Sequence, residues 1–243
     1  MATVEEFAHA GASLVAERRG SGSPLYVLVH GIGMGRSVFD DLAHHLRDGE
    51  VILLDLPGYG EAPEPRRVLT IERTADLVAA YLRARAGRPA VVIGHSMGAQ
   101  IALEVAVRHP RVAERIVLVG PTVDPAARSA PRQLWRLLRD IAIESPRVIA
   151  RGAREYVRAG PHLRAKFRAM LVHRPEDVLA RAGVPALVLR GEHDLVAPPQ
   201  WCRRVADTLP DGRLREVPGH GHETMIRDAE SAARLIREFA REG

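Results

Sequence analysis

The chain has 243 residues, a formal net charge of +5, and is 46% hydrophobic and 27% charged, the profile of one globular domain with room for a core and one insertion. No apolar run approaches the ~20 residues that cross a bilayer. The acidic start lacks the order of a secretory signal, and the single cysteine, Cys202, allows no internal disulfide, so a cytoplasmic protein is expected. The basic excess is local, since positions 121–183 hold 13 Lys+Arg against 6 Asp+Glu without any nucleic-acid motif, which argues against a nucleic-acid partner.

The stretch up to the turn at Gly20–Pro24 suits an antiparallel hairpin at a sheet edge. An apolar run at Leu25–His30 then predicts a buried strand, followed by a helix over Phe39–Arg47 and a second strand at Val51–Asp55. Thr70–Ala86 has Ile71, Ala75, Val78, Ala79 and Leu82 at helical spacing. The strand Ala90–His95 leads into a helix over Met97–His109 that is apolar on nearly every side, as a helix packed under neighbours is. Arg115–Gly120, Pro185–Arg190 and Arg213–Val217 complete the strands, with helices over Pro198–Leu209 and Thr224–Arg241. Such alternation predicts an α/β fold around a mostly parallel sheet flanked by helices. It breaks once. Positions 121–183 carry only helical pattern, with Pro131, Pro146, Pro161 and Pro175 as helix starts, which predicts a helical cap inserted into a core formed by 1–120 and 184–243.

Gly94-His-Ser-Met-Gly98 sits between a strand and a helix. A serine held in that turn has its Oγ lifted clear of the sheet, and side chains two residues to either side would collide, which explains both glycines. The plainer alternative is that Ser96 caps the helix. Four further stretches occur in order: Leu28-Val-His-Gly-Ile-Gly33, Asp55-Leu-Pro-Gly-Tyr-Gly60, Leu187-Val-Leu-Arg-Gly-Glu-His-Asp194 and Val217-Pro-Gly-His-Gly-His222. With these the chain resembles the α/β-hydrolase superfamily over essentially its full length, as a capped serine hydrolase whose Ser, Asp and His follow the family's order.

The resemblance implies Ser96 as nucleophile and His222, at the last position of Gly-x-Gly-His, as its base, with His220 the competitor. Asp194 would orient the imidazole; Asp124, after the preceding strand, is the alternative acid, and Glu192 lies too near the strand end to be preferred. The backbone N–H groups of Ile32 and Met97 would form the oxyanion hole, and His30 would anchor its loop. Trp135 and Tyr156 are candidate pocket residues. Arg154 belongs to a stripe with Arg147, Arg151 and Arg158; a solvated face is the simpler reading, and selection of anionic substrates the sharper one.

Gly31-Ile-Gly33-Met-Gly35 imitates a dinucleotide fingerprint, but Arg36 stands where the third glycine belongs. His193, Asp194, His220 and His222 match no zinc spacing. No metal or cofactor is therefore expected. The expected substrate is a small to medium ester, thioester or lactone. Hydrolysis of a carbon–carbon bond in a diketone-like acid is the alternative chemistry, disfavoured by Glu223 after the histidine. A non-catalytic binding protein on the same fold is the alternative class.

Overall fold

The computed structural model describes residues 2–128, 162–226 and 228–242. Trp135, Tyr156, the arginine stripe containing Arg154, and Pro131, Pro146 and Pro161 lie outside them.

Among the described residues one sheet holds eight strands: β1 (Thr3–His9), β2 (Ala12–Gly20), β3 (Leu25–Val29), β4 (Glu50–Asp55), β5 (Ala90–His95), β6 (Ala113–Val119), β7 (Ala186–Gly191) and β8 (Gly212–Val217). Their order is β1-β2-β4-β3-β5-β6-β7-β8. The β1–β2 hairpin forms the antiparallel edge, and every pairing from β4 to β8 is parallel. The near-continuous apolar runs follow from burial on both faces. Val27, Val92, Leu118 and Val188 pack into one core with helices α2 (Ile71–Tyr81), α3 (Met97–Arg108) and α5 (Pro199–Thr208). Their alternating neighbours Leu28, Ile93, Val117 and Leu189 pack into a second core with α1 (Asp40–His45) and α6 (Glu230–Arg241).

α2 begins as its sequence dictates, with Thr70 Oγ1 accepting the Arg73 N–H at 3.3 Å. Its predicted last turn is a π-helical segment, Leu82–Ala86, ended by Gly87 at φ 67°. α6 starts at Glu230, six residues later than the apolar pattern predicts. Met225 and Ile226 are buried as loop residues in the second core rather than as a helical stripe, and Asp41 of α1 caps the entry by accepting the Ala229 N–H at 2.8 Å.

Within 121–183, every described element is helical: short 3₁₀ turns at Pro125–Ala127, Pro175–Asp177 and Leu179–Arg181, and α4 (Leu163–Val172). Among the described residues, four side-chain hydrogen bonds tie α4 and His173, the residue after it, to the core. Gln100 of α3 donates to the Met170 carbonyl at 3.2 Å, and His173 Nε2 meets Glu104 Oε1 at 2.8 Å. Lys166, the one lysine in the chain, is 5% exposed, and its Nζ donates to the Gly58 carbonyl at 2.6 Å and to Glu64 Oε2 at 2.9 Å.

Candidate active site

Successive parallel strands depart to opposite sides of β3, with β4 on one flank and β5 on the other. Such a switch point opens a crevice beyond the carboxyl ends of the two strands. Residues 30–32 leave β3 there, and Ser96 leaves β5.

Ser96 has φ 55° and ψ −114°, a conformation that L residues rarely adopt. Its N–H is fixed by the Val119 carbonyl at 2.9 Å. It precedes α3, yet its side chain makes no capping hydrogen bond, which removes the plain reading of a helix cap. The flanking glycines are contact points. A Cβ on Gly94 would strike the Gly98 carbonyl, and a Cβ on Gly98 would strike that of Val29. A Cβ on Gly31 would lie 3.1 Å from Ser96 Cβ, so the loop after β3 runs directly against the serine. Among the described residues the N–H groups of Ile32 and Met97 have no hydrogen-bond acceptor.

Asp194 and His222 meet beside this turn. His222 Nδ1 donates to Asp194 Oδ2 at 2.9 Å, and the two residues are 3% and 2% exposed. A carboxylate only accepts, so Nδ1 carries a proton in this pair, and in the neutral imidazole that leaves the lone pair to Nε2. Asp194 Oδ1 accepts the N–H groups of Val196 and Ala197, each at 2.8 Å. The His222 ring lies 4.7 Å, centre to centre, from the ring of His95, which precedes Ser96. His95 Nε2 donates to the His222 carbonyl at 3.1 Å, tying the histidine loop to the serine turn. Its Nδ1 is buried without a partner among the described residues, and burial, then the neighbouring His222, pushes its pKa well below 6.5. His95 is therefore a neutral strut.

The remaining candidates separate by their partners. His220 is half-exposed and turns its Nδ1 to the Pro218 carbonyl at 2.8 Å. Glu192 accepts the Gly219 N–H at 2.9 Å and so braces the histidine loop. Asp124 accepts the Ala126 N–H at 2.9 Å at the start of a 3₁₀ turn. His30 is buried; Leu56 N–H donates to its Nε2 at 3.1 Å and its Nδ1 donates to the Gly31 carbonyl at 2.7 Å. This makes it an anchor between two loops, and burial lowers its pKa.

Three contributors had been given no role from the sequence. Arg190, 3% exposed, donates to the carbonyls of Glu192, Asp194 and Ala197 at 3.2 Å each and pairs with Glu216; it shapes the Asp194 loop from beneath. Gly120 follows β6 at φ 52°, and an added Cβ would lie 2.8 Å from His222 Cε1. Asp55 accepts Arg36 N–H at 2.6 Å and Glu61 N–H at 2.9 Å and pairs with the Arg36 guanidinium, locking the loop after β3 to the turn after β4. A charged residue ending an apolar strand was the available signal for Arg190 and Asp55. A small apolar cavity of about 30 Å³, room for about two waters, lies against Met97 and is lined by Leu56, Tyr59, Leu69, Ile101 and Lys166.

His193, Asp194, His220 and His222 do not form a metal site in this arrangement, because Asp194 and His222 satisfy each other and His220 turns to its own loop. Among the described residues only Glu72, Glu104 and His173 bring three potential ligand atoms within 4.8 Å of one another. The His173–Glu104 hydrogen bond already serves to dock α4 on α3.

A family model described as "Alpha/beta hydrolase family" matches residues 26–237. The pimeloyl-[acyl-carrier protein] methyl ester esterase of Neisseria meningitidis serogroup A is 30% identical over 87% of this chain and 75% of that protein. The enzyme of that name from Chromobacterium violaceum is 29% identical over 93% and 97%. Among solved structures, a thermophilic esterase from Thermogutta terrifontis superposes with a TM-score of 0.82 at 24% identity, covering 98% of both chains. A hydrolase from Pseudomonas aeruginosa PA01 gives 0.84 at 23%, also covering 98% of both. These likenesses, together with the parallel sheet and its serine turn, make the chain a hydrolase belonging to the α/β-hydrolase family.

Proposed function

We propose that the chain hydrolyses a small to medium carboxylic ester, thioester or lactone through an acyl-enzyme on Ser96. The observation that carries this reading is the buried His222–Asp194 pair beside the strained serine turn. The named relatives are ester hydrolases, which supports ester cleavage over the carbon–carbon alternative.

Ser96 Oγ attacks the carbonyl carbon while His222 Nε2 takes its proton, and the oxyanion meets the N–H groups of Ile32 and Met97. Asp194, held by two backbone N–H groups, fixes the tautomer and stabilises the imidazolium. His222 then returns the proton to the leaving alcohol or thiol as the carbonyl re-forms. Water, deprotonated by the same Nε2, attacks the acyl-enzyme, and Oγ leaves with the proton. The apolar cavity against Met97 favours an apolar group next to the reacting carbonyl. The helical cap expected at positions 121–183 belongs to this proposal, and Trp135, Tyr156 and Arg154 are offered as its substrate contacts. This chemistry takes place in the cytoplasm, where the buried Cys202 thiol, its pKa pushed up to about 12 by burial, stays inert.

A fluorophosphonate probe is expected to label the wild type and not Ser96→Ala. A folded wild type that resists the probe and cleaves no ester in a chain-length panel returns the protein to the binding-protein reading.

A further inference from the structure

A second concavity lies outside the serine site, between the β1–β2 turn, the loop ahead of α2 and the first turns of α2. Its volume of about 530 Å³ is that of a small-molecule site. Its charged lining is Arg66, Arg67 and Arg73, with His9 and Asp76. All three arginine side chains are exposed, and among the described residues none has a carboxylate or other hydrogen-bond partner. This is unlike Arg18, Arg19 and Arg36, each of which is paired with a carboxylate.

Asp76 does not neutralise the three. It accepts two hydrogen bonds from Arg108, both at 2.9 Å, and faces His109 Nε2 at 2.8 Å, partners that hold its pKa below the usual carboxylate value. Three fork-shaped donors around one groove suit a multiply charged oxyanion better than a single carboxylate, because each guanidinium can engage two oxygens. Val68 and Leu69 line both this groove and the cavity against Met97, so the two spaces are separated by one stretch of loop. The arginine stripe of positions 147–158, for which a solvated face is the simpler reading, lies outside the described residues; these three arginines are an independent observation, on the core.

We propose that this groove binds a phosphate-bearing ligand, a phosphomonoester or diphosphate, through Arg66, Arg67 and Arg73. The group belongs either to the remote arm of the substrate, a source that rests on the hydrolase reading above, or to a separate small effector. Binding is independent of turnover, so calorimetric titration with inorganic pyrophosphate is the deciding experiment, on the wild type and on Arg66→Ala/Arg67→Ala/Arg73→Ala. Saturable binding that weakens by at least about tenfold in the triple variant and falls with added salt is expected. Absence of saturable binding, or equal binding by both proteins, overturns the site. The single variants give the same comparison should the triple variant not fold. Competition by pyrophosphate against a phosphate-bearing acyl thioester, with p-nitrophenyl acetate turnover untouched, identifies the substrate's own arm. An equal effect on both substrates identifies an effector. Because the titration needs no turnover, an unreactive Ser96 would sink the hydrolase reading and leave the test of the groove intact.

Discussion

Replacing Lys166 by methionine tests how α4 is held to the core. The ammonium lies 2.6 Å from the Gly58 carbonyl, 2.9 Å from Glu64 Oε2 and 4.3 Å from the centre of the Tyr59 ring. Hydrogen bonds to charged partners contribute about 1.5–3 kcal/mol and neutral ones about 0.5–1.5 kcal/mol, and a cation over a ring adds about 1 kcal/mol. Against this, methionine fills the volume of the stem and removes the cost of burying an ammonium. The Glu64 side chain is 27% exposed and can turn to water. The net is a loss of about 2 kcal/mol, which for a chain of this size lowers Tm by about 4–8 °C. Urea titration of Lys166→Met, Glu64→Gln and the double variant should give a coupling of about 1 kcal/mol, with Glu64→Gln harmless once the lysine is gone. An unchanged Tm, or coupling below about 0.3 kcal/mol, would mean that the lysine does not hold the helix and that its contacts are decoration.

Three further outcomes are expected. His222→Ala should lower kcat on any ester the enzyme accepts by about four orders of magnitude, whereas His220→Ala stays within a few-fold; the reverse ranking would exchange the two histidines. Gly98→Ala drives a Cβ into the Val29 carbonyl and should cost about 3 kcal/mol or more; a chemical denaturation midpoint equal to that of the wild type would contradict the close approach of α3 to β3. The fully buried His30 and His95 have folded pKa values below the 6.5 of a free imidazole, so the unfolded chain binds more protons as pH falls. Their contribution is fully present above the free-imidazole range and is lost as pH falls through and below about 6.5, because only the unfolded chain takes up the protons there. A urea midpoint that stays flat as pH falls through that range, or a slope unaltered in His95→Asn, would be inconsistent with two neutral buried imidazoles.

What the sequence made legible follows from how local each signal is. Val27, Val92, Leu118 and Val188 serve one core while their neighbours serve the other, so strand runs stand out without alternation, and their ends fall within two residues of expectation. Gly94 and Gly98 mark the serine turn because two backbone contacts forbid a side chain there. Arg190 is marked in the sequence only as a charge ending an apolar strand; its role was not legible because its three carbonyl partners lie in a loop whose path only the fold reveals. Nothing in the sequence but its being the one lysine marks Lys166, whose partners are more than a hundred residues away in the chain. Met225 and Ile226 misled the helix boundary since an apolar pair that seals a loop looks like the start of an apolar stripe.

The lone lysine also has a practical use. With every other long basic side chain an arginine, amine-directed acylating reagents find a single ε-amino group in the chain, and it is enclosed by Gly58, Tyr59 and Glu64. Acylation there requires α4 to lift from the turn it covers. The rate at which the folded protein takes up one acyl group at position 166 therefore counts openings of this helix, in the unmodified molecule and without an inserted label.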